Sequence, residues 1–111
     1  MDLAFLVQKL DLTVTCCKAG LDKQVDGGYV GDLLSDVIAN SKKGDLWITR
    51  QSHQNIIAVA TLKEHAGIVL ALGKEPDKDT LEKAKQESIP VLVTDFPAFE
   101  IAGKIYTLLN Q

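Results

Sequence analysis

Three short segments of the chain are apolar at every position and mark the centre of a sheet. They lack the alternation of a half-exposed strand, which is typical of parallel strands covered by helices on both faces. The segments are Leu46-Trp47-Ile48, Ile68-Val69-Leu70-Ala71-Leu72 and Val91-Leu92-Val93. Between them, 53 to 65 and 79 to 88 show the apolar spacing of helices. The pattern predicts a β-α-β-α-β core from 45 to 94, within a compact layered α/β domain whose sheet is mainly parallel.

Weaker patterns on either side of this core predict further elements. Leu12, Val14 and Cys16 alternate with polar neighbours, as expected of a half-buried strand near a sheet edge. Asp79 and Glu82 have the spacing of a capping pair for the helix they occupy. Apolar residues at helical spacing predict three more helices, over 2 to 9, 31 to 41 and 97 to 109. With no linker or repeat, the 111 residues are expected to form one domain.

Composition and charge narrow the function classes. The chain is 46% apolar with a net charge of -3, which is typical of a globular protein. No basic stripe is present of the kind that binds nucleic acid. Neither a signal peptide nor a long apolar run is found. We therefore expect a cytoplasmic protein without nucleic-acid or membrane partners.

The two cysteines, Cys16 and Cys17, are adjacent. Neighbouring Cα atoms lie about 3.8 Å apart, below the usual disulfide range of about 4.4 to 6.8 Å, so no internal disulfide is expected. No Cys and His cluster supports a metal site. We expect buried or edge-strand thiols, with Cys17 on the threonine face of its strand and tolerant of serine.

The glycines do not form a known phosphate-binding motif. Gly67 and Gly73 are separated by five residues, where a phosphate loop has four, and Glu75 stands where Ser or Thr would hold magnesium. Gly27 and Gly28 also lack the spacing of a dinucleotide fingerprint. We expect no cofactor, and we expect the paired glycines to meet a positive φ or a close packing approach.

The segment from Leu21 to Val37 resembles the signature of the DRTGG domain, named for its typical Asp, Arg, Thr, Gly and Gly. Asp22, Gly27 and Gly28 match that pattern, and Tyr29 follows as is typical. Lys23 replaces the arginine and Asp26 replaces the threonine, so a role that needs a guanidinium fork or a hydroxyl does not carry over. The likeness extends over nearly the whole chain.

The resemblance implies a non-catalytic regulatory domain that often self-associates. Such domains lie between CBS domains in regulated pyrophosphatases and are similar to the N-terminal domain of HPr kinase/phosphorylase. The implied function is a homodimer that binds a small ligand or a protein partner. Stand-alone members often accompany iron-only hydrogenase genes, so an adaptor for such a redox enzyme is an alternative.

Polar residues that follow two predicted strands give a candidate ligand site, because parallel sheets usually bind ligands at their carboxyl edge. A positive charge and two helix starts there would suit a small anionic ligand. The candidates are Arg50, Gln51, His53, Asn55, Thr94 and Asp95. An enzyme using Arg50 and His53 is a further alternative, although no nucleophile or paired carboxylates can be assigned beside them. His65, near a helix end, is expected to be structural.

Overall fold

The computed structural model describes the whole chain, Met1–Gln111, as five strands, five α-helices and one short 3-10 helix. The strands are β1 (Thr13–Cys16), β2 (Gly27–Val30), β3 (Asp45–Thr49), β4 (Gly67–Leu70) and β5 (Val91–Val93). The helices are α1 (Leu3–Leu10), α2 (Leu34–Asn40), α3 (Asn55–Lys63), α4 (Lys78–Glu87) and α5 (Ala98–Leu109), and the 3-10 helix covers Lys18–Asp22. None of the helices combines the length and the apolarity needed to cross a membrane.

The five strands form one sheet in the order β1-β5-β4-β3-β2. The four strands β2 to β5 are parallel, and β1 pairs antiparallel with β5 at one edge. The α/β class, the mainly parallel sheet and the edge position of the first strand are thus confirmed.

Helices cover both faces of the sheet, which explains why the central strands are apolar throughout. On one face, Trp47, Ile68 and Leu70 pack with residues of α2, α3 and α4. On the other face, Ile48 and Val69 pack with residues of α1 and α5. Alternate side chains of each strand therefore enter two separate hydrophobic clusters, and the sheet forms the middle layer of three.

The strand β2 was not predicted, and it adds a further β-α unit to the parallel core. Gly27, Gly28 and Tyr29 pair in register with Asp45, Leu46 and Trp47 of β3. Glycine is depleted in strands, so its local signal is that of a turn. Pairing with β3, which joins residues far apart in the sequence, decides the structure here.

The prediction of positive φ at Gly27 and Gly28 is wrong, but the close approach is confirmed. The glycines with positive φ are Gly44 and Gly73. A Cβ on Gly27 would lie 2.9 Å from Asp45 Oδ1, and one on Gly28 would lie 3.4 Å from the Leu46 carbonyl oxygen. Crowding by β3, and not backbone strain, disfavours larger side chains at these two positions.

An irregularity in β1 overturns the predicted alternation. Val14 pairs with Leu92 and Cys16 pairs with Val91, so one extra residue is inserted between them. As a result Val14 packs against the α1 and α5 cluster, whereas Cys16 lies in the opposite cluster. Cys17 does not lie on a threonine face, because it has left the strand with φ of 67°.

Two helix starts also differ from the sequence prediction. α2 begins at Leu34, because Gly31 and Asp32 belong to the loop that follows β2. The Asp79 and Glu82 capping pair is wrong, since Asp77 occupies the cap position of α4 and makes no side-chain capping bond. Asp77 is instead engaged by His53.

Candidate functional site

The carboxyl edge of the parallel strands holds the residues that the sequence predicts as a site, and three of these side chains, Arg50, Gln51 and His53, contact protein partners. Asp32, in the loop after β2, accepts hydrogen bonds from Thr49 Oγ1 at 2.7 Å and from the Arg50 backbone N-H at 2.9 Å. The Gln51 side chain donates to the Asp32 carbonyl oxygen at 2.9 Å. Arg50 Nε donates to the Ala71 carbonyl oxygen at 3.2 Å. These bonds tie the ends of β2, β3 and β4 together.

His53 belongs to a different group of contacts from Arg50. Its Nδ1 lies 2.8 Å from Asp77 Oδ2, and the ring is exposed. Beside it, Thr80 Oγ1 donates to the Ser52 carbonyl oxygen at 2.5 Å. Asn55 is exposed at the first turn of α3. These contacts join the loop before α3 to the start of α4.

Thr94 and Asp95 line a separate cavity of about 370 Å³, together with Lys9 and Lys104. The other four predicted residues line none of the five cavities in the chain. The six residues therefore share one edge of the sheet, but they do not surround one pocket.

The backbone N-H groups of the glycine turn after β4 also donate to carbonyl groups within the protein. The Leu72 N-H donates to the Phe96 carbonyl oxygen at 2.9 Å, and the Gly73 N-H donates to the Thr94 carbonyl oxygen at 2.8 Å. A phosphate-binding turn needs such groups free to meet the ligand. This turn joins β4 to the segment after β5.

The amino edge of the same strands contains a cavity of about 450 Å³ that the sequence analysis did not predict. It forms where the segments that precede β2, β3, β4 and β5 come together. Most of its lining residues are of polar type, although the surface they present to it is largely carbon; the residues are Lys23, Gln24, Asp26, Lys43, Gly44, Thr61, Glu64, His65, Ala66 and Ile89. Two positions of the family signature, Lys23 and Asp26, are among these residues.

The remaining signature residues do not line that cavity. Asp22 is exposed at the end of the 3-10 helix. Gly27 and Gly28 allow β2 to approach β3, as described above. The Tyr29 hydroxyl donates to Asp36 Oδ2 at 2.5 Å, which raises the pKa of Tyr29. The signature therefore places β2 against the sheet and brings Lys23 and Asp26 to the cavity.

Gly44 shapes the cavity wall through its backbone. Its φ of 84° lies in the left-handed region that favours glycine. A Cβ at this position would clash with the carboxylate of Asp26. The Asp26 N-H donates to the Gly44 carbonyl oxygen at 2.9 Å, so the turn before β3 and the residue before β2 hold each other in place.

His65 is buried at the cavity and has one unsatisfied nitrogen. Ser41 Oγ donates to the Val37 carbonyl oxygen at 2.6 Å, so its 2.8 Å contact with His65 Nε2 requires the histidine hydrogen on Nε2. His65 Nδ1 then carries a bare lone pair, and it is the one buried side-chain nitrogen or oxygen without a hydrogen-bond partner. Burial lowers the pKa of His65, with Lys63 adding to the effect and Asp45 opposing it. The ring is therefore a neutral acceptor.

The cavity lining carries as many positive as negative side chains. They differ in whether they have partners within the protein. Lys23 Nζ donates to the Ser88 carbonyl oxygen at the end of α4, at 2.9 Å. Lys43 Nζ lies 3.8 Å from Glu64 Oε1, with both side chains exposed, and such a pair contributes little to stability. The Asp26 carboxylate has no hydrogen bond or ion pair in the chain. Asp26 is thus a carboxylate at this edge that has no protein partner.

Neither the thiols nor the potential metal ligands form a reactive site. Burial raises the pKa of Cys17 to about 12, with a hydrogen bond to Cys16 adding to the effect, so this thiol is protonated at neutral pH and is a poor nucleophile. No group of three or more His, Cys, Asp or Glu side chains is placed to hold a metal ion.

Two signals in the sequence could have pointed to the amino edge. Two signature positions stand just before a strand, and Lys43, Gly44, Glu64 and His65 also precede strands. The partner of His65, and hence its free nitrogen, depends on packing against Ser41 and Trp47. That contact cannot be inferred from spacing.

Comparison with known proteins gives the family and a related fold. The model of the DRTGG domain matches residues 6–108. The chain is also similar to the CBS and DRTGG domains of the regulatory region of Clostridium perfringens pyrophosphatase, solved in complex with its activator, diadenosine tetraphosphate. The TM-score is 0.68 at 16% identity, covering 92% of this chain and 44% of that one, so this chain spans less than half of that structure. No curated protein matches it. Because the family model covers most of its length, the chain belongs to the DRTGG domain family.

Proposed function

We propose that the chain is a non-catalytic regulatory module that binds a small ligand and acts as a homodimer. Membership of the DRTGG family and the fold shared with a pyrophosphatase regulatory region support the regulatory role. The observation that carries the proposal is the amino-edge cavity of about 450 Å³. Two signature positions, Lys23 and Asp26, line it.

The contacts of the candidate catalytic residues support a role without catalysis. Arg50 is held by Asp32 and Ala71, whereas His53 is paired with Asp77. An enzyme needs a nucleophile or base within hydrogen-bond reach of its partner group. Arg50 and His53 share no such partner.

The carboxyl edge is the second candidate ligand site. Arg50 supplies an exposed cation there, and Lys9 and Lys104 flank the cavity that contains Thr94 and Asp95. Because the related pyrophosphatase region was solved with a nucleotide activator, a nucleotide or another small anion is the ligand class to test at this edge. If it binds there, Arg50→Ala should weaken binding about ten- to hundredfold, as expected for a lost charge-assisted contact.

The homodimer is supported by the exposed surface of α5. Phe99 is 92% exposed and Tyr106 is 69% exposed. They lie seven residues apart, which places them on one side of the helix, two turns from each other. Large exposed apolar side chains that lie together mark interaction sites. A stable dimer through this surface would bury about 1,600 Å² in total.

The dimer is tested by sedimentation velocity on the wild type and on the Phe99→Glu and Lys78→Glu variants. We expect a dimer for the wild type and for Lys78→Glu, a charge change on a different helix, and a monomer for Phe99→Glu. A wild type that stays monomeric at tens of micromolar would contradict the homodimer.

The ligand-binding role is tested by measuring the melting temperature with defined probes. These are AMP, ATP, diadenosine tetraphosphate, inorganic phosphate, putrescine and L-lysine. A ligand at about a hundred times its Kd stabilises a protein by about 2.7 kcal/mol, which raises the melting temperature by several degrees. We expect at least one probe to do so and to be recovered unchanged. Conversion of the probe would contradict the non-catalytic role, and no effect from any probe would contradict ligand binding.

A further inference from the structure

The exposed surface of α5 carries a projecting side chain and a hollow next to each other. Phe99, at the start of the helix, is 92% exposed, so its ring projects into solvent. Beside it lies a cavity of about 520 Å³ between α5 and the end of α1. Gly103, one turn further along α5, lines this cavity, and a Cβ at this position would have nothing within 4 Å. The absence of a side chain at Gly103 therefore keeps the hollow open.

Four residues of α5 frame this cavity in a pattern that suits a side chain from another helix. They stand at positions i, i+3, i+4 and i+7, which are neighbours on a helix surface, and they are Glu100, Gly103, Lys104 and Thr107. When helices pack, a side chain of one helix inserts as a knob into a hole formed by four residues of the facing helix. The cavity on α5 is a hole of this form.

The wall of the hole suits an aromatic ring better than an anion. Lys9 and Lys104 line it, but their ammonium groups lie over aromatic rings of the same chain. Lys9 Nζ is 5.7 Å from the centroid of Phe5, and Lys104 Nζ is 4.9 Å from the centroid of Phe96. Lysine stems can cover apolar surface in this way, and the surface that the lining presents is largely carbon. An apolar side chain is therefore stabilised by burial in the hole.

We infer that two copies of the chain associate through antiparallel α5 helices, with Phe99 of each copy inserted into the hole beside Gly103 of the other. This inference rests on the proposed homodimer and names the contact that forms it. A two-fold axis presents the same surface of both copies to each other, so that surface must be complementary to itself. A knob and a hole on one helix meet this requirement, because both insertions form at once. Each insertion buries an aromatic ring that is exposed in the single chain.

The charges that frame the hole favour a second copy as the partner. Glu100 and Lys104 are one turn apart, and neither has an ion-pair partner in the chain. Antiparallel helices related by a two-fold axis bring Glu100 of each copy toward Lys104 of the other, so opposite charges meet twice. Opposite charges across an interface fix its register and disfavour other partners. The surface of α5 is therefore complementary to itself in charge as well as in shape.

The test is sedimentation equilibrium of the full chain and of three variants. Gly103→Leu fills the hole and leaves Phe99 in place, and it should raise the dimer Kd about thirtyfold or more, as expected for a lost interface anchor. Because leucine suits a helix better than glycine, the variant should fold, and circular dichroism checks this. Phe99→Ala removes the knob and should weaken the dimer similarly. Leu62→Ala is the matched control, because Leu62 is 67% exposed on α3, across the sheet from α5, and it should dimerise like the wild type.

A mixture of the two weakened variants tests the insertion itself. Gly103→Leu keeps the knob and Phe99→Ala keeps the hole, so one of the two insertions can form between them, and the mixture should associate more tightly than either variant alone. A mixture that associates no more tightly, or a Gly103→Leu variant with the dimer Kd of the wild type, would overturn the inference. If the wild type is dimeric in those cases, the proposed homodimer stands without this contact. A wild type that is monomeric at tens of micromolar contradicts both.

Discussion

The two edges of the parallel sheet differ in how their polar side chains are hydrogen-bonded within the protein. At the carboxyl edge, Asp32, Gln51 and His53 use their hydrogen-bonding groups on one another's loops. At the amino edge, the exposed Asp26 carboxylate lines a cavity and has no protein partner. A cluster of polar residues can stabilise a fold or bind a ligand, and the bonds of Asp32, Gln51 and His53 to other loops are of the first kind.

Topology explains why the carboxyl edge is closed in this chain. The loop after β2 places Asp32 over the end of β3, where its carboxylate accepts two hydrogen bonds. The end of β4 is closed by the bonds of Leu72 and Gly73 to the segment after β5. The general preference of parallel sheets for ligands at this edge is therefore opposed here by local bonding.

The largest expected effect is on stability at the carboxyl edge. Asp32→Ala removes the acceptor of Thr49 and of the Arg50 N-H, and it should lower the free energy of unfolding by about 2 to 3 kcal/mol. Asp26→Ala should change it by no more than about 0.5 kcal/mol, because its exposed side chain makes no bond. Urea denaturation measures both. Equal losses in the two variants would remove the distinction between the edges.

The next effect concerns the turn that holds Asp26. Gly44→Ala should lower stability by about 1 to 3 kcal/mol, because the backbone has positive φ and the new Cβ meets Asp26. Gly103→Ala is the opposite control, since Gly103 lies within α5 with nothing within 4 Å of an added Cβ. It should raise stability by about 0.5 to 1 kcal/mol. Thermal denaturation with opposite signs for the two variants is the expected outcome.

The third effect is a pH dependence that belongs to His65. Burial lowers the pKa of His65 in the folded state. As the pH falls below the ordinary histidine value of about 6.5, the imidazole is therefore protonated in the unfolded chain before it is protonated in the folded one. Its contribution to stability is therefore complete above pH 6.5 and falls as the pH drops toward the folded pKa, by up to about 1.4 kcal/mol per pH unit. Stability curves of the wild type and His65→Gln should converge in acid. A His65→Gln curve parallel to the wild type would contradict the assignment.

The smallest expected effect is on the rate at which Cys17 is alkylated. Because the pKa of Cys17 is raised to about 12, iodoacetamide should modify it slowly at pH 7 in the folded chain and rapidly after unfolding. Mass spectrometry of the modified chain gives the two rates. Rapid labelling of the folded protein would contradict the raised pKa of Cys17.

The sequence was sufficient for the parts of the fold that depend on local patterning. The apolar runs at β3, β4 and β5 and the helices between them appear where the pattern predicts. It failed where distant pairing decides, as in β2, whose glycines are typical of turns, and in β1, where one inserted residue moves Cys16 to the opposite face. Hydrophobic periodicity contains no information about either contact.

The candidate site was harder to predict than the fold for a related reason. Residue type and position after a strand correctly placed Arg50, Gln51, Thr94 and Asp95 at one edge of the sheet. Whether a polar group is free depends on partners such as Asp32 and Asp77, which come from other loops. The family signature points to the other edge, because Lys23 and Asp26 line the amino-edge cavity even though both depart from the usual residue types.

The most direct test is a map of amide chemical shifts in the ¹⁵N-labelled chain during titration with a probe that raises the melting temperature. We expect the changes to concentrate at Asp26, Gly44, Glu64 and His65, which line the amino-edge cavity, with little change at the carboxyl edge. Saturating changes confined to Arg50, Gln51 and Thr94, with the amino edge unaffected, would contradict the placement of the site.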